Sequence, residues 1–177
     1  MLRPRIIPSL LVHKKGLVKT VQFNNKKYVG DPINAVKIFN EKEVDELMVL
    51  DIDATVEKRE PDFALIKNLA VECRMPFCYG GGVKTVEEAK RIVHLGAEKV
   101  AFSSAAINNI NLLEEVGNVI GLQSVVVVLD YKKKGFFGDM YLFTNNGKKS
   151  TGIKLLDFVK ELEHIGVGEI VLNSIDR

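Results

Sequence analysis

The 177-residue chain is 46% apolar and 27% charged, has a net charge of +2 and lacks Trp, which suits one domain with a real core and not two. Its near-balanced charge leaves no electrostatic footprint for nucleic acid or an acidic membrane surface, and the composition excludes disorder, collagen-like repeats and a disulfide scaffold. Two cysteines, Cys73 and Cys78, and three scattered histidines, His13, His94 and His164, make neither a disulfide framework nor a metal-ligand cluster, so no metal and no cofactor are expected. Cys73 reads as a helix-end residue and Cys78 as core, while the histidines read as solvated or helix-terminal and receive no role. The longest apolar run, Val125 to Leu129, is far short of the roughly 20 residues that span a bilayer. No cleavage-site pattern follows Met1-Leu2-Arg3-Pro4-Arg5. A soluble, reduced, cytoplasmic domain without a signal peptide is the expectation.

In chain order, short apolar runs alternate with amphipathic segments. Ile6 to Val12 predicts a first strand. A polar loop follows, and Gly30-Asp31-Pro32 ends it, with Asp31 able to cap a helix and Pro32 suited to its first turn. Ile33, Val36, Ile38 and Phe39 fit about three helical turns. Leu47 to Leu50 predicts a second strand running into Asp51-Ile52-Asp53, and Pro61 to Glu72 a helix. Pro76 to Tyr79 predicts a third strand, ending on Gly80-Gly81-Gly82. Thr85 then caps a helix whose Glu87 and Glu88 fall in the first turn, with Lys90 and Arg91 further along, as the helix dipole favours.

Lys99 to Phe102 predicts a fourth strand, followed by Ser103-Ser104-Ala105-Ala106 and a helix over about Leu112 to Val119. Val125 to Asp130 is nearly all β-branched, the pattern of a parallel strand buried on both faces. Tyr131 to Thr151 predicts a hairpin excursion, with Met140 to Phe143 lying between Gly138 and an Asn146-Gly147 turn. A helix from Ile153 to His164 and a sixth strand, Glu169 to Asn173, complete the order. Strand–helix units at such intervals predict a parallel α/β sheet.

A weak internal repeat points the same way. Val44 to Asp53 resembles Val167 to Asp176, and Ile6 to Leu11 with His13-Lys14-Lys15-Gly16 resembles Val125 to Asp130 with Lys132-Lys133-Lys134-Gly135. Two halves of βα units predict eight strands in a (β/α)₈ barrel. The sequence supplies six, and Arg177 follows the sixth.

Several motifs, taken in order and at their spacing, carry a family resemblance: Arg5-Ile6-Ile7-Pro8, Gly30-Asp31-Pro32, Asp45-Glu46-Leu47 with Leu50-Asp51-Ile52, Gly80-Gly81-Gly82-Val83, Gly96 to Val100, Thr151-Gly152, and Gly168-Glu169-Ile170 with Ser174-Ile175-Asp176-Arg177. Over essentially its whole length the chain resembles the cyclase subunit of imidazole glycerol phosphate synthase, the HisF family. The resemblance implies an α/β fold of the TIM (β/α)₈-barrel kind. Here it is truncated to about six parallel strands and five helices, as one domain over residues 1–177 that is incomplete at the C-terminus, with strands seven and eight absent. It also implies a lyase-type, ammonia-using synthase of histidine biosynthesis, served by a HisH-like glutaminase and acting on a small phosphorylated or nucleotide-sugar substrate.

Carried over residue by residue, the resemblance makes Asp130 the general acid and Lys19 a catalytic lysine of the first loop. Gly81 and Gly82 become phosphate-binding glycines, Ser103 and Ser104 further phosphate ligands, and Arg5, Glu46, Lys99 and Glu169 an ammonia gate. On their own, three glycines after a strand usually mark a tight turn; the helix that follows, with N-terminal N–H groups suited to an anion, adds weight to phosphate binding. Charges at strand starts are often ordinary rim ion pairs. The gate residues stand at the N-terminal ends of four strands, where they could converge.

One departure bears on the chemistry. The family's second catalytic aspartate ends the first strand, where this sequence has Leu11 within Ser9-Leu10-Leu11-Val12. An isobutyl group neither accepts nor donates a proton, so a two-carboxylate acid/base mechanism cannot run. That loss, with Leu17-Val18-Lys19-Thr20-Val21, resembles a HisF-like branch serving acetamidino modification of surface-polysaccharide sugars. The alternatives are the histidine-pathway cyclase, with Asp130 or Asp51 doing the proton work alone, and a non-catalytic remnant. For the chain itself, an open, curved six-stranded sheet with poor solubility or oligomerisation is expected, because its first and sixth strands would face a gap.

Overall fold

The computed structural model of the chain describes residues 3–134 and 138–176. Its elements in order are β1 (Ser9–His13), β2 (Gly16–Val21), β3 (Asn24–Gly30), α1 (Pro32–Glu41), β4 (Leu47–Asp51), α2 (Phe63–Glu72), β5 (Phe77–Gly80), α3 (Val86–His94), β6 (Lys99–Phe102), α4 (Ser104–Asn108), α5 (Asn111–Ile120), a 3₁₀ turn at Leu122–Ser124, β7 (Val125–Lys134), β8 (Asp139–Thr144), β9 (Lys149–Lys154), α6 (Leu155–Ile165) and β10 (Glu169–Ser174). Six strands, β1, β4, β5, β6, β7 and β10, run parallel as neighbours in that order. Two antiparallel excursions flank them: β2 and β3 extend the sheet from β1, and β8 and β9 continue from β7. Among the described residues no helix is long and apolar enough to cross a membrane.

Strand periodicity sorts the side chains into two faces. Leu47, Val49, Phe77, Tyr79, Val100, Phe102, Val125, Val127 and Leu129 point to the helices and join one large core with Ile66, Leu69, Ile92, Leu113 and Phe158. The alternate residues Met48, Cys78, Ala101, Val126 and Val128 form a second, smaller cluster on the opposite face, with Ile7, Leu50 and Val171 against it. The register carries this inner face along β10, where Val171 pairs with Val128 and Asn173 with Asp130. Among the described residues β1 and β10 do not pair. The sheet nevertheless curls, because Arg5, just before β1, bonds Glu169, which opens β10.

The expected caps form. Asp31 Oδ1 accepts from the N–H groups of Ile33 at 2.9 Å and Asn34 at 3.1 Å, with Pro32 opening α1. Thr85 and Glu88 complete a capping box at α3; each such cap contributes about 1 kcal/mol.

Three expectations need correction. The polar loop before Gly30 is instead the β2–β3 hairpin, so Lys19 sits on a strand. The β1–β2 turn uses Lys14-Lys15 (φ 46° and 66°) and the β2–β3 turn Gln22-Phe23 (φ 49° and 61°), the left-handed geometry that sequence usually announces with Asn-Gly. β3 is exposed along nearly its whole length, so no alternation of apolar residues betrays it. There are six helices among the described residues, not five, since Ser104–Asn108 forms the short α4. The last helix starts at Leu155 because β9 keeps Ile153 and Lys154 in the sheet. Gly135, which ends the second half of the internal repeat, and Arg177, which ends the last motif, lie outside the described residues.

Candidate active site and charged ring

The C-terminal ends of the parallel strands surround a cavity of about 240 Å³. Parallel strands converge their C-terminal ends and the loops after them on one face, where barrel enzymes place their chemistry. Leu11, Leu50, Ala101 and Val128 make an apolar floor from the inner face, and Asp130 and Asn173 stand beside it. Asp130 accepts from Asn173 Nδ2 at 2.9 Å. Burial pushes its carboxyl up to about 6, and the Asn173 hydrogen bond only partly opposes this. The group therefore holds its proton to higher pH than an ordinary aspartate, a shift in the direction that suits a general acid.

Asp51, at the end of β4, also reaches the cavity but is committed elsewhere. Its Oδ1 accepts from the N–H groups of Asp53 at 2.9 Å and Ala54 at 3.1 Å, and Arg59 stands 3.4 Å from both oxygens. Leu11, the position at which the resemblance expects a second acid, is an apolar part of the same cavity's lining.

Gly81 and Gly82 form the rim beside β5, with φ of +120° and +78°. A Cβ on Gly81 would fall 2.4 Å from the Asp51 carbonyl oxygen, and one on Gly82 2.8 Å from that of Arg59. Gly81 thus lets the loop pass against the end of β4, and Gly82 against the segment that follows it. The Ser103 and Ser104 loop lies next to them, so all four phosphate candidates border one cavity. The helix that follows, α3, uses part of its N-terminus on its own residues. Glu88 accepts from the N–H groups of Lys84 at 2.7 Å and Thr85 at 3.0 Å, and Thr85 Oγ1 accepts from Glu88 N–H.

Lys19 is not brought into the cavity. Strand alternation turns it outward, and the adjacent Thr20 lines the space instead, with Phe23 from the hairpin turn. Opposite them the β8–β9 turn contributes Asn145 and Asn146, and Asn146 Nδ2 donates to the Ile52 carbonyl at 2.9 Å. A Cβ on Gly147 would come within 3.2 Å of Phe23, so the two hairpins meet over the cavity.

The first hairpin is fastened by a cluster that the sequence reading missed. Asp53, 5% exposed, accepts from Lys14 N–H at 3.0 Å and Lys26 Nζ at 3.1 Å, with His13 Nδ1 at 2.8 Å. His13 is therefore a structural anchor and not a solvated side chain. His94 and His164 do fall in the last turns of their helices, Cys73 caps α2 and Cys78 is buried.

At the opposite, N-terminal ends of the strands, Arg5, Glu46, Lys99 and Glu169 converge as expected. Glu46 Oε2 accepts from Arg5 at 2.9 Å and Lys99 at 2.6 Å; Glu169 Oε1 accepts from Lys99 at 2.8 Å and also from Arg5. Positive and negative groups alternate around this ring. Burial alone would lower Lys99 and raise Glu169, but the hydrogen bonds outweigh it, so Lys99 lies above and Glu169 below its ordinary range. Glu46 is 2% exposed, and its second oxygen, Oε1, is buried with no hydrogen-bond partner among the described residues.

Parallel strands alternating with helices, a cavity over their C-terminal ends and a charged ring at their N-terminal ends define an α/β protein of the (β/α)-barrel kind. Comparison with known proteins narrows this. Residues 5–177 match the histidine biosynthesis protein family. Over 177 residues the chain is 56% identical to a Vibrio vulnificus protein provisionally named imidazole glycerol phosphate synthase subunit hisF3, covering all of this chain and 68% of that one. It is 54% identical over 177 residues to a Leptospira interrogans protein provisionally named as the HisF subunit, covering all of this chain and 70% of that one. It is 40% identical over 176 residues to the imidazole glycerol phosphate synthase subunit HisF of Thermococcus onnurineus, covering 99% of this chain and 69% of that one. The chain belongs to the histidine biosynthesis protein family, among the HisF-like subunits.

Proposed function

We propose that residues 1–177 act as one (β/α)-barrel domain of an ammonia-accepting synthase that uses Asp130 as its single acid on a small phosphorylated or nucleotide-sugar substrate. The observation that carries this reading is the pairing of one partly buried carboxyl, Asp130, with Leu11 on the wall of the same cavity. Asp51 is occupied by Arg59 and two backbone N–H groups, so a second free carboxylate is not at hand. A reaction that needs two is disfavoured here. Acetamidino modification of a surface-polysaccharide sugar is the preferred reaction, and the histidine-pathway cyclase is the second reading, favoured by the names of the relatives.

The backbone of Gly81 and Gly82 and the hydroxyls of Ser103 and Ser104 would hold the substrate's phosphate, with Lys19 approaching only if the hairpin turns its strand. The Arg5–Glu46–Lys99–Glu169 ring would admit ammonia from a glutaminase docked at the N-terminal face. A buried acceptor lacking a donor, Glu46 Oε1, suits a small N–H-bearing molecule in passage. The test supplies the chain with ammonium and the cyclase substrate. Negligible imidazole glycerol phosphate is expected, rising in Leu11→Asp; robust turnover by the Leu11 form would overturn the preference for the acetamidino reaction. Titration with a HisH-like glutaminase should show micromolar association, and none at all would remove the gate.

A further inference from the structure

We infer that Asn173 is a positioning residue for Asp130, whose side-chain amide holds the carboxyl group in place and reverses when the proton is gained or lost. The inference rests on the reading of Asp130 as the site's acid. Asn173 and Asp130 are register partners on adjacent parallel strands, β10 and β7. Both line the cavity, and Nδ2 lies 2.9 Å from Oδ1. Asp130 has no other side-chain partner among the described residues, and its surroundings include Leu11, Leu50 and Val128.

Lys84 and Asp51 line the same cavity without bonding Asp130, Asp51 being held by Arg59 and two backbone N–H groups, and most charged groups on the neighbouring strands are engaged elsewhere. Lys99 of β6 and Glu169 of β10 belong to the ring, and Asp139 of β8 pairs with Lys154 of β9. Lys132 and Lys134 of β7 lie over the Phe143 ring, and Asp176 accepts from the Lys133 N–H. Asn173 is thus the polar side chain that answers to the state of Asp130.

An amide suits this position because it carries both a donor and an acceptor. Toward an ionised carboxylate it presents N–H, as seen here. Toward a protonated carboxyl it can present its carbonyl oxygen after a half-turn of the terminal torsion and accept the acid's O–H. Each state leaves the other end of the amide facing the cavity, so the groups offered to a ligand change with the proton on Asp130. A leucine could do neither, and an ionised aspartate could not donate.

The experiment follows the Asp130 carboxyl carbon by ¹³C NMR in the ligand-free 177-residue chain from acid to alkaline pH, with Asp130→Asn assigning the signal. The expected midpoint is about 6 in the unaltered chain. Asn173→Leu should raise it by about one pH unit, a tenfold tighter hold on the proton, because a hydrogen bond to the charged form is lost. Asn173→Thr, whose hydroxyl also donates and accepts, should bring it most of the way back. In the unaltered chain the Asn173 side-chain ¹⁵NH₂ signals should shift with the same midpoint, a readout that survives if a variant fails to fold. An unmoved midpoint in folded Asn173→Leu, or Asn173 amide signals flat through the Asp130 transition, overturns the inference. If the pair titrates together but Asp130→Asn keeps full turnover, the proposed function falls and the positioning role stands.

Discussion

As the proposed acid, Asp130 would trade stability for chemistry. Its carboxyl ionises near 6 in the folded chain because burial disfavours the charge, against about 4 in an unfolded chain. The folded state therefore binds more protons between those values, and stability falls as pH rises through them. Asp130→Asn should then stabilise the protein by on the order of 3 kcal/mol at pH 8, with the gain vanishing below about pH 4. Urea unfolding at the two pH values measures it; an equal effect at both would show that burial does not set this carboxyl's affinity. The same variant should lower turnover by roughly 10²- to 10⁴-fold, the usual contribution of a positioned acid.

At the scale of elements, legibility depended on whether apolar periodicity marked the segment. The six parallel strands and the β8–β9 hairpin stood out because Leu47 to Leu50, Val125 to Leu129 and Met140 to Phe143 are apolar runs bounded by turn residues. β2 and β3 did not, since β3 is held by its ladder to β2 and by Asp53 instead of by core burial. That also explains Lys19, which resemblance placed in the site and strand alternation turns away. Thr20 was missed with the rest of β2, and Asn145 and Asn146 because the turn that carries them over the cavity is placed by long-range contacts; the Asn146-Gly147 signal announced the turn but not where it would lie. Burial alone would raise the Asp53 carboxyl, yet the bonds from His13, Lys14 and Lys26 hold it below its ordinary value. Its contribution is therefore present above about pH 4 and is lost as pH falls further through the depressed value. Asp53→Ala should speed amide exchange across Gly16–Gly30 while leaving β4–β7 protected; unchanged exchange in the hairpin would mean that the ladder alone holds it.

For the molecule as a whole, the charged ring and the free strand edges act in opposite directions. Glu46 is buried and Lys99 partly buried, and they share a hydrogen bond, so Lys99→Ala would leave Glu46 to Arg5 alone and cost about 2 kcal/mol, the loss of a hydrogen bond to a charged group. Arg5 is half exposed and bonds the same two acids, so Arg5→Ala should cost about 1 kcal/mol or less while still loosening the contact that curls β1 toward β10. Denaturant titration of both variants distinguishes a ring held by its buried pair from one held by the bridge. The edges pull toward association. β10 pairs only with β7 among the described residues, and Leu172 on its outer face is 54% exposed. An unpaired edge offers N–H and C=O groups to another chain, and exposed apolar area adds about 25 cal/mol per Å² when covered. The 177-residue chain should therefore self-associate at micromolar concentration. Leu172→Lys should shift it toward monomer, because a charge on an edge strand opposes pairing. Light scattering across a dilution series reads the outcome directly, and a chain that stays monomeric with Leu172 in place would show that the curled sheet protects its own edge.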